Sequence, residues 1–258
     1  MKMKKKKGQL TIFIIIGVIF VFLIFFLFYY LRPEFIEPVT SILGLKKKNF
    51  EDCLDQSISK KIQELSLKAG FVNPQFKHSY KGENYTFLCY TKEYLKNCVV
   101  QEPFLKDRFE DSLKEILKGD LETCYSRSIK ELERRGLDIE SGEIVFNVSI
   151  EPKEIIIRIS APTKIYSEDI SSSFKDLKYS YKTNLYQVLM IVTSLIQFET
   201  YYGDSEQMQH MFYYPNIKIL KTRLDDDIKV YSVIEKNEGI KFNFAVRSLT
   251  FPPGGVNP

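Results

Sequence analysis

The chain has 258 residues, of which 44% are hydrophobic and 27% are charged, and its formal net charge is +4. All 33 acidic residues lie beyond Leu31, whereas five of the 37 basic residues lie before it, so the sequence after Leu31 has a formal charge of about −1. A nucleic-acid-binding protein would concentrate its lysines and arginines on the folded part. The composition therefore argues against a nucleic-acid partner and is ordinary for a globular protein.

Residues 10–31 are predicted to form a transmembrane helix. They include no charged side chain, and 22 helical residues would rise about 33 Å, enough to cross a hydrocarbon core of about 30 Å. Five lysines lie in residues 1–9, and only Arg32 stands close to the other end of the segment. The positive-inside rule then places residues 1–9 in the cytoplasm and the remainder outside. We expect a single-pass protein of the cell membrane, with the lipid bilayer as its first partner.

The junction before the apolar segment, Gly8-Gln9, is a candidate processing site. The sequence Lys6-Lys7-Gly8-Gln9 resembles the cleavage junction of archaeal class III, prepilin-like signals, and a cut after Gly8 would leave the helix on the mature protein. Such signals usually carry a glutamate five residues after the cut, where this chain has Phe13. An uncleaved signal anchor and a processed, pilin-like subunit both remain open at this point.

The next segments are a predicted stalk, residues 32–48, and a helical region with a small hairpin, residues 49–136. Pro38 should break or bend any helix in the stalk. From Phe50 to Ala69, apolar residues recur at spacings of three and four, which predicts an amphipathic helix with Asn49 as its N-cap and Gly70 as its stop. Residues 76–80 and 85–90 are predicted to form a short, exposed hairpin. A second helix is expected to begin at Pro103 and to end at Gly136.

Residues 137–250 are predicted to form an α+β region with an antiparallel sheet, followed by a flexible tail at 251–258. The segments 144–150 and 155–161 alternate apolar and polar residues and should pair across the turn at 151–154. Leu185 to Tyr202 is too short and too polar for a second span, so a buried helix across the sheet is expected. Residues 217–224, 228–234 and 240–246 are predicted to form a β-meander. The expected fold class is α+β, with antiparallel strands packed against amphipathic helices.

Four cysteines in a domain outside the membrane indicate disulfides. Three pairings are possible. We favour Cys53 with Cys124, each on a long predicted helix, and Cys89 with Cys98, which are close in sequence. A zinc site is the alternative, but no C-x-x-C pair exists and the two histidines are remote from each other in sequence, so we expect no metal and no cofactor.

Motifs of catalysis are absent from the sequence: no G-x-G, no P-loop, no H-E-x-x-H and no G-x-S-x-G. His78 could act as a base, although a surface histidine is the simpler interpretation. His210 lies among Met208, Met211 and three aromatic residues, which indicates either a ligand-facing patch or a loop packed on the core. Asp225 to Asp227 could hold a hard cation, but an acidic β-turn also explains them.

Two short patterns fit the asparagine-glycosylation signal, at Asn84 and at Asn147. We favour Asn84, because its predicted hairpin is exposed. No catalytic residue is assigned.

Several scattered features resemble uncharacterised membrane-anchored proteins of small-genome archaea. They are the opening Lys-Gly-Gln-Leu-Thr-Ile-Phe at residues 7–13, the helix with Cys53, the turn at Gly70-Phe71, the helix from Pro103 to Cys124 and the sequence F-x-F-A-V-R at residues 242–247. The resemblance implies a membrane-anchored extracytoplasmic domain with paired helix cysteines, and it supplies no activity.

We therefore expect a non-enzymatic structural or interaction protein of the cell envelope with an envelope protein as its partner. Two alternatives are a pilin-like filament or secretion-system subunit and a membrane-tethered envelope hydrolase. Two carboxylates converging in a cleft would favour the hydrolase.

Overall fold

The computed structural model describes residues 17–23, 26, 37–94, 96–167 and 170–249. The chain divides into two compact units, Met1–Lys48 and Asn49–Pro258. The secondary structure is mixed α+β with mainly antiparallel sheets, which confirms the predicted fold class.

Only part of the predicted transmembrane segment is described: residues 17–23 and residue 26 are helical. The Gly8-Gln9 junction and the predicted tail at 251–258 lie outside the described residues. Within the part of the chain that the structure describes, no helix is both long and apolar enough to cross a bilayer.

Helix α1, Glu37–Leu67, begins 13 residues before the predicted start at Phe50. Pro38 is the second residue of this helix, where its missing N–H would have no intrahelical partner. Whether a helix from the membrane segment breaks before Pro38 lies outside the described residues. Asn49 is consequently an internal residue of α1 and not its N-cap. The predicted apolar stripe is confirmed: Leu54, Ile58 and Ile62 are fully or almost fully buried.

The first sheet contains six strands among the described residues: β1 Lys77–Tyr80, β2 Glu83–Tyr90, β3 Val99–Val100, β8 Ile217–Arg223, β9 Ile228–Glu235 and β10 Lys241–Arg247. The order is β1-β2-β10-β9-β8, and β3 pairs with β2. The meander of β8, β9 and β10 and the hairpin of β1 and β2 follow the prediction. The expectation of an exposed hairpin was wrong, since β2 pairs in parallel with β10 and is mostly buried.

The second sheet contains β4 Asp138–Ser141, β5 Val145–Glu151, β6 Glu154–Ser167 and β7 Ile170–Lys182. The predicted antiparallel pairing of β5 with β6 is present. Strands β4 and β7 were not predicted, and β7 pairs with β6 over most of its length. The serines and charged residues between Ile170 and Asp176 hide the strand pattern, so only Leu177, Tyr179 and Tyr181 alternate in the expected way.

Three helices complete the domain: α2 Leu105–Glu133, α3 Leu185–Tyr202 and the short α4 Gln207–Tyr213. Helix α3 has the bounds that the sequence predicts. Its buried apolar residues belong to the same core cluster as those of α1, α2 and both sheets. It therefore lies where the two sheets share one core, and its C-terminal end positions the side chains described below.

Two disulfides connect the four cysteines, in the pairing favoured from the sequence. Cys53 on α1 is bonded to Cys124 on α2 with a sequence separation of 71, and Cys89 on β2 is bonded to Cys98 with a separation of 9. Both short-loop cysteines are almost fully buried. Because all four cysteines are bonded, none is available as a metal-binding thiolate.

The longer disulfide should stabilise the domain more than the shorter one. The chain-entropy model assigns about 4.4 kcal/mol to a loop of about 71 residues and about 2.6 kcal/mol to a loop of about 9. We expect the double alanine variant at Cys53 and Cys124 to lose about 2 kcal/mol more than that at Cys89 and Cys98. Urea unfolding of residues 49–258 measures the difference. An equal or larger loss from the short pair would refute this ranking.

Candidate functional site

A cluster of charged side chains lies at the C-terminal end of α3, against the inner face of β8 and β9. We call it the charge cluster. Its members are Glu199, Asp204, Lys221, Arg223, Lys229 and Tyr231. Lys229 and Tyr231 project from β9 towards α3, because alternate residues of a strand share one face. The sequence analysis did not identify this cluster.

Lys229 and Glu199 form the buried centre of the charge cluster. Their side chains are fully buried, and the Lys229 Nζ lies 2.5 Å from the Glu199 Oε2. The same ammonium donates to the carbonyl oxygen of Gly203, and the Tyr231 hydroxyl donates to the other carboxylate oxygen of Glu199. Burial raises the pKa of the Glu199 carboxyl despite the neighbouring ammonium, and burial and then the Glu199 charge raise the pKa of Tyr231.

Gly203 gives this centre its backbone geometry. It ends α3 with a φ of +71°, in the left-handed region that glycine adopts without strain. A Cβ at this position would come within 2.9 Å of Leu249. The close approach brings the Leu249 carbonyl to 3.5 Å from the Lys229 Nζ, so the two residues that follow β10 lie beside the ion pair.

Asp204 connects the buried centre to the surface. Its carboxylate accepts from the Lys221 Nζ at 2.6 Å and from Arg223, and it lies 3.6 Å from the Lys229 Nζ. Burial alone would raise the pKa of Asp204, but the hydrogen bond and charge of Lys221, together with Lys229 and Arg223, lower it. Each charge in the cluster has a protein partner of opposite sign, which is the arrangement of a structural ion-pair network.

Ser194 and His210 form a second polar pair, between α3 and α4. The Ser194 Oγ lies 3.1 Å from the His210 Nε2, and the His210 Nδ1 lies 3.1 Å from the Glu206 carbonyl oxygen. A carbonyl can only accept, so Nδ1 carries the proton and Nε2 accepts from the serine hydroxyl. Since His210 is buried and its ring packs edge-on against Phe198, the pair attaches α4 to α3. The geometry favours packing over a ligand-facing role for His210.

A group of five exposed apolar side chains, four of them aromatic, lies next to this pair. We call it the aromatic surface. It consists of Tyr201 and Tyr202 at the end of α3 and Met208, Phe212 and Tyr213 on α4, with exposed fractions of 75%, 66%, 66%, 81% and 67%. Tyr202 packs on Phe198, and Phe198 packs on the buried His210 of α4. The ring of Phe198 therefore supports both the end of α3 and helix α4.

The remaining predicted positions are separate from one another in the fold. His78 is half-buried on β1, beside the ring of Phe87. Asn84 and Asn147 are both exposed, and the Asn84 Oδ1 accepts from the Ser79 hydroxyl at 2.7 Å. Glycosylation of either asparagine stays a prediction.

Asp225 to Asp227 form the turn between β8 and β9. Their backbone carbonyls accept hydrogen bonds from Ile228, Arg247 and Ser248, and Asp226 and Asp227 have positive φ values of 58°. A tight turn therefore accounts for the three acidic residues. Among the residues described here, no group of three or more histidine, cysteine, aspartate or glutamate side chains is arranged to hold a metal ion.

Removing one partner of the buried ion pair should be costly. We expect Lys229→Met to lower the free energy of unfolding by about 3–5 kcal/mol at neutral pH, because Glu199 would remain buried without its cation. The double variant K229M/E199Q should recover much of this loss, since an amide oxygen can still accept from Tyr231. Lys221→Met is the matched control and should cost less, because its partner Asp204 reaches solvent.

The K229M loss should also grow with pH. Burial raises the folded-state pKa of Glu199, and in K229M the ammonium that lowers it is gone, so the folded variant holds a proton more firmly than the wild type does, whereas the unfolded chain releases it near the ordinary value of 4.5. Stability then falls as the pH rises above that value. Urea unfolding at about pH 5 and about pH 7 measures this dependence. A loss that is independent of pH, or a double variant as unstable as K229M, would contradict the assignment.

No protein-family model, no curated protein and no solved structure matches this chain.

Proposed function

We propose that the chain is a membrane-anchored, extracytoplasmic protein of the cell envelope that acts in structure or in interaction and not in catalysis. The observation that carries the proposal is the bonding of all four cysteines. Disulfides form and persist in oxidising compartments and are rare in the cytosol. The uncharged segment at residues 10–31 supplies the anchor. The five lysines before it place the N-terminus in the cytoplasm and the domain outside, in agreement with the disulfides.

The arrangement of Glu199 and Asp204 supports a non-catalytic role for this pair of carboxylates. Glu199 and Asp204 converge on one ammonium, that of Lys229, but Glu199 is fully buried and accepts from Lys229 and Tyr231. A glycosidase needs two carboxyl groups that both face the substrate. The pair therefore lacks the access that the envelope-hydrolase alternative requires.

The aromatic surface supports the interaction role. Soluble monomers seldom expose large apolar side chains as a group, and such groups usually mark contacts with proteins or membranes. A fixed helix, α4, carries three of the five side chains. An envelope component that covers these side chains would remove apolar surface from water, which is energetically favourable.

The topology can be tested with a membrane-impermeant protease. Added to intact cells whose cell wall or S-layer has been removed, it should digest the domain at residues 49–258 and leave the N-terminal segment in the membrane. A cytoplasmic protein that stays intact serves as the control for sealed membranes. Full protection of the domain in sealed cells would contradict the proposed orientation.

A pilin-like filament subunit is the second candidate, favoured by the early start of α1. Because α1 begins at Glu37, much of the predicted stalk is helical and continuous with the helix that packs on the core. Phe13 argues against assembly, since a filament of this kind is expected to use a glutamate there to neutralise a neighbouring N-terminal amine, and a buried unpaired charge is costly.

Shearing distinguishes the two candidates. We expect most of the protein to stay in the membrane fraction when cells are sheared, as monomers or small oligomers, even if residues 1–8 are removed. Immunodetection of the domain in pelleted appendages, with N-terminal sequencing, measures this. Recovery of most of the domain in long filaments that begin at Gln9 would establish the pilin-like alternative.

A further inference from the structure

The aromatic surface lies in an unusually uncharged part of the chain. Residues 207–216 include no aspartate, glutamate, lysine or arginine, although 27% of the whole chain is charged. Met208 and Phe212 are four residues apart and so share one side of α4. Their exposed side chains form an apolar stripe at the surface of the domain.

The opposite side of α4 is firmly attached to the domain. His210 is buried and hydrogen-bonded to Ser194, and the Met211 sulfur accepts from the Ile219 N–H of β8 at 3.3 Å. Glu206 caps the helix by accepting from the Met208 N–H. The outward direction of Met208 and Phe212 is therefore fixed by the inward contacts of the same helix.

The chemistry of the aromatic surface matches the interfacial region of a bilayer. Three of its five side chains are tyrosines, whose rings can enter the apolar layer while their hydroxyls reach water. Two exposed lysines lie by the segment that follows α4: Lys218 is the second residue of β8, and the Lys236 Nζ donates to the Pro215 carbonyl at 2.7 Å. Ammonium groups beside an apolar surface suit anionic lipid headgroups.

We infer that the aromatic surface lies in the interfacial region of the bilayer that holds the N-terminal anchor, as a second membrane contact. This inference rests on the proposed anchoring. Residues 37–49 belong to α1 and rise about 20 Å as a helix, and the five residues from Arg32 to Ile36 reach at most about 17 Å. An anchor this close keeps the local concentration of the surface at the bilayer high, so a weak contact is enough to hold the surface there.

The chain includes no tryptophan, so a single introduced tryptophan would be the source of all tryptophan fluorescence. The full chain with Phe212→Trp is reconstituted into vesicles of phosphatidylcholine and phosphatidylglycerol, with and without bromine on the acyl chains. The matched control is Phe76→Trp, also at an exposed phenylalanine. Residue 76 directly precedes β1. Strands β1 and β8 form opposite edges of the sheet and are four strand spacings, or about 19 Å, apart.

We expect the F212W emission to lie at shorter wavelength than the F76W emission. We also expect the brominated lipid to quench it several-fold more strongly than the F76W emission. Equal and weak quenching of the two variants, in vesicles that retain the protein, would overturn the inference and leave the anchoring intact. A shift to shorter wavelength without bromine quenching would assign the surface to a protein contact instead. Loss of the protein from floated vesicles after alkaline extraction would overturn the anchoring and the inference together.

Discussion

The Cys53–Cys124 bond is the constraint on which the rest of the domain depends. It joins α1 to α2, and these helices place two apolar stripes in one core, including Leu54 and Ile58 on α1 and Leu113 and Leu117 on α2. Asp55 of α1 also accepts a hydrogen bond from Tyr179 of β7. The first helix of the core is thereby fixed both to another helix and to the second sheet.

Helix α3 connects this part of the core to the first sheet. Most of its buried side chains are aliphatic, but its last turn brings Glu199 against Lys229 of β9. A buried ion pair adds little net stability compared with apolar packing, whereas an unpaired charge there is strongly destabilising. We interpret the pair as a device that selects one arrangement of α3 on the sheet and fixes the backbone at Gly203. The aromatic surface begins directly before this turn, so its placement depends on the same contacts.

Local pattern was sufficient to predict the three long helices, apart from the start of α1, together with the meander and both disulfide pairs, because each depends on periodicity or on sequence distance. The short helix α4 was not predicted. It failed where long-range pairing decides the structure: β2 is buried by its parallel pairing with β10, more than 150 residues later in the chain. Strand β7 was missed because its serines do not alternate with apolar residues. The sequence does hold one sign of the buried ion pair. Lys229 alternates with Tyr231 and Val233 on the strand face that points into the core, and a lysine is buried there only with a partner of opposite charge. The aromatic surface was noted only through His210, and its outward direction required the contacts between α4 and α3.

The central claim is that the domain folds in an oxidising compartment around the Cys53–Cys124 bond. Mass spectrometry of protein isolated from its native cells, alkylated before lysis and digested without reduction, tests it most directly. The account predicts one peptide pair that joins Cys53 to Cys124 and another that joins Cys89 to Cys98, as in the structure. Alkylated free thiols at Cys53 and Cys124 in the native protein would contradict it.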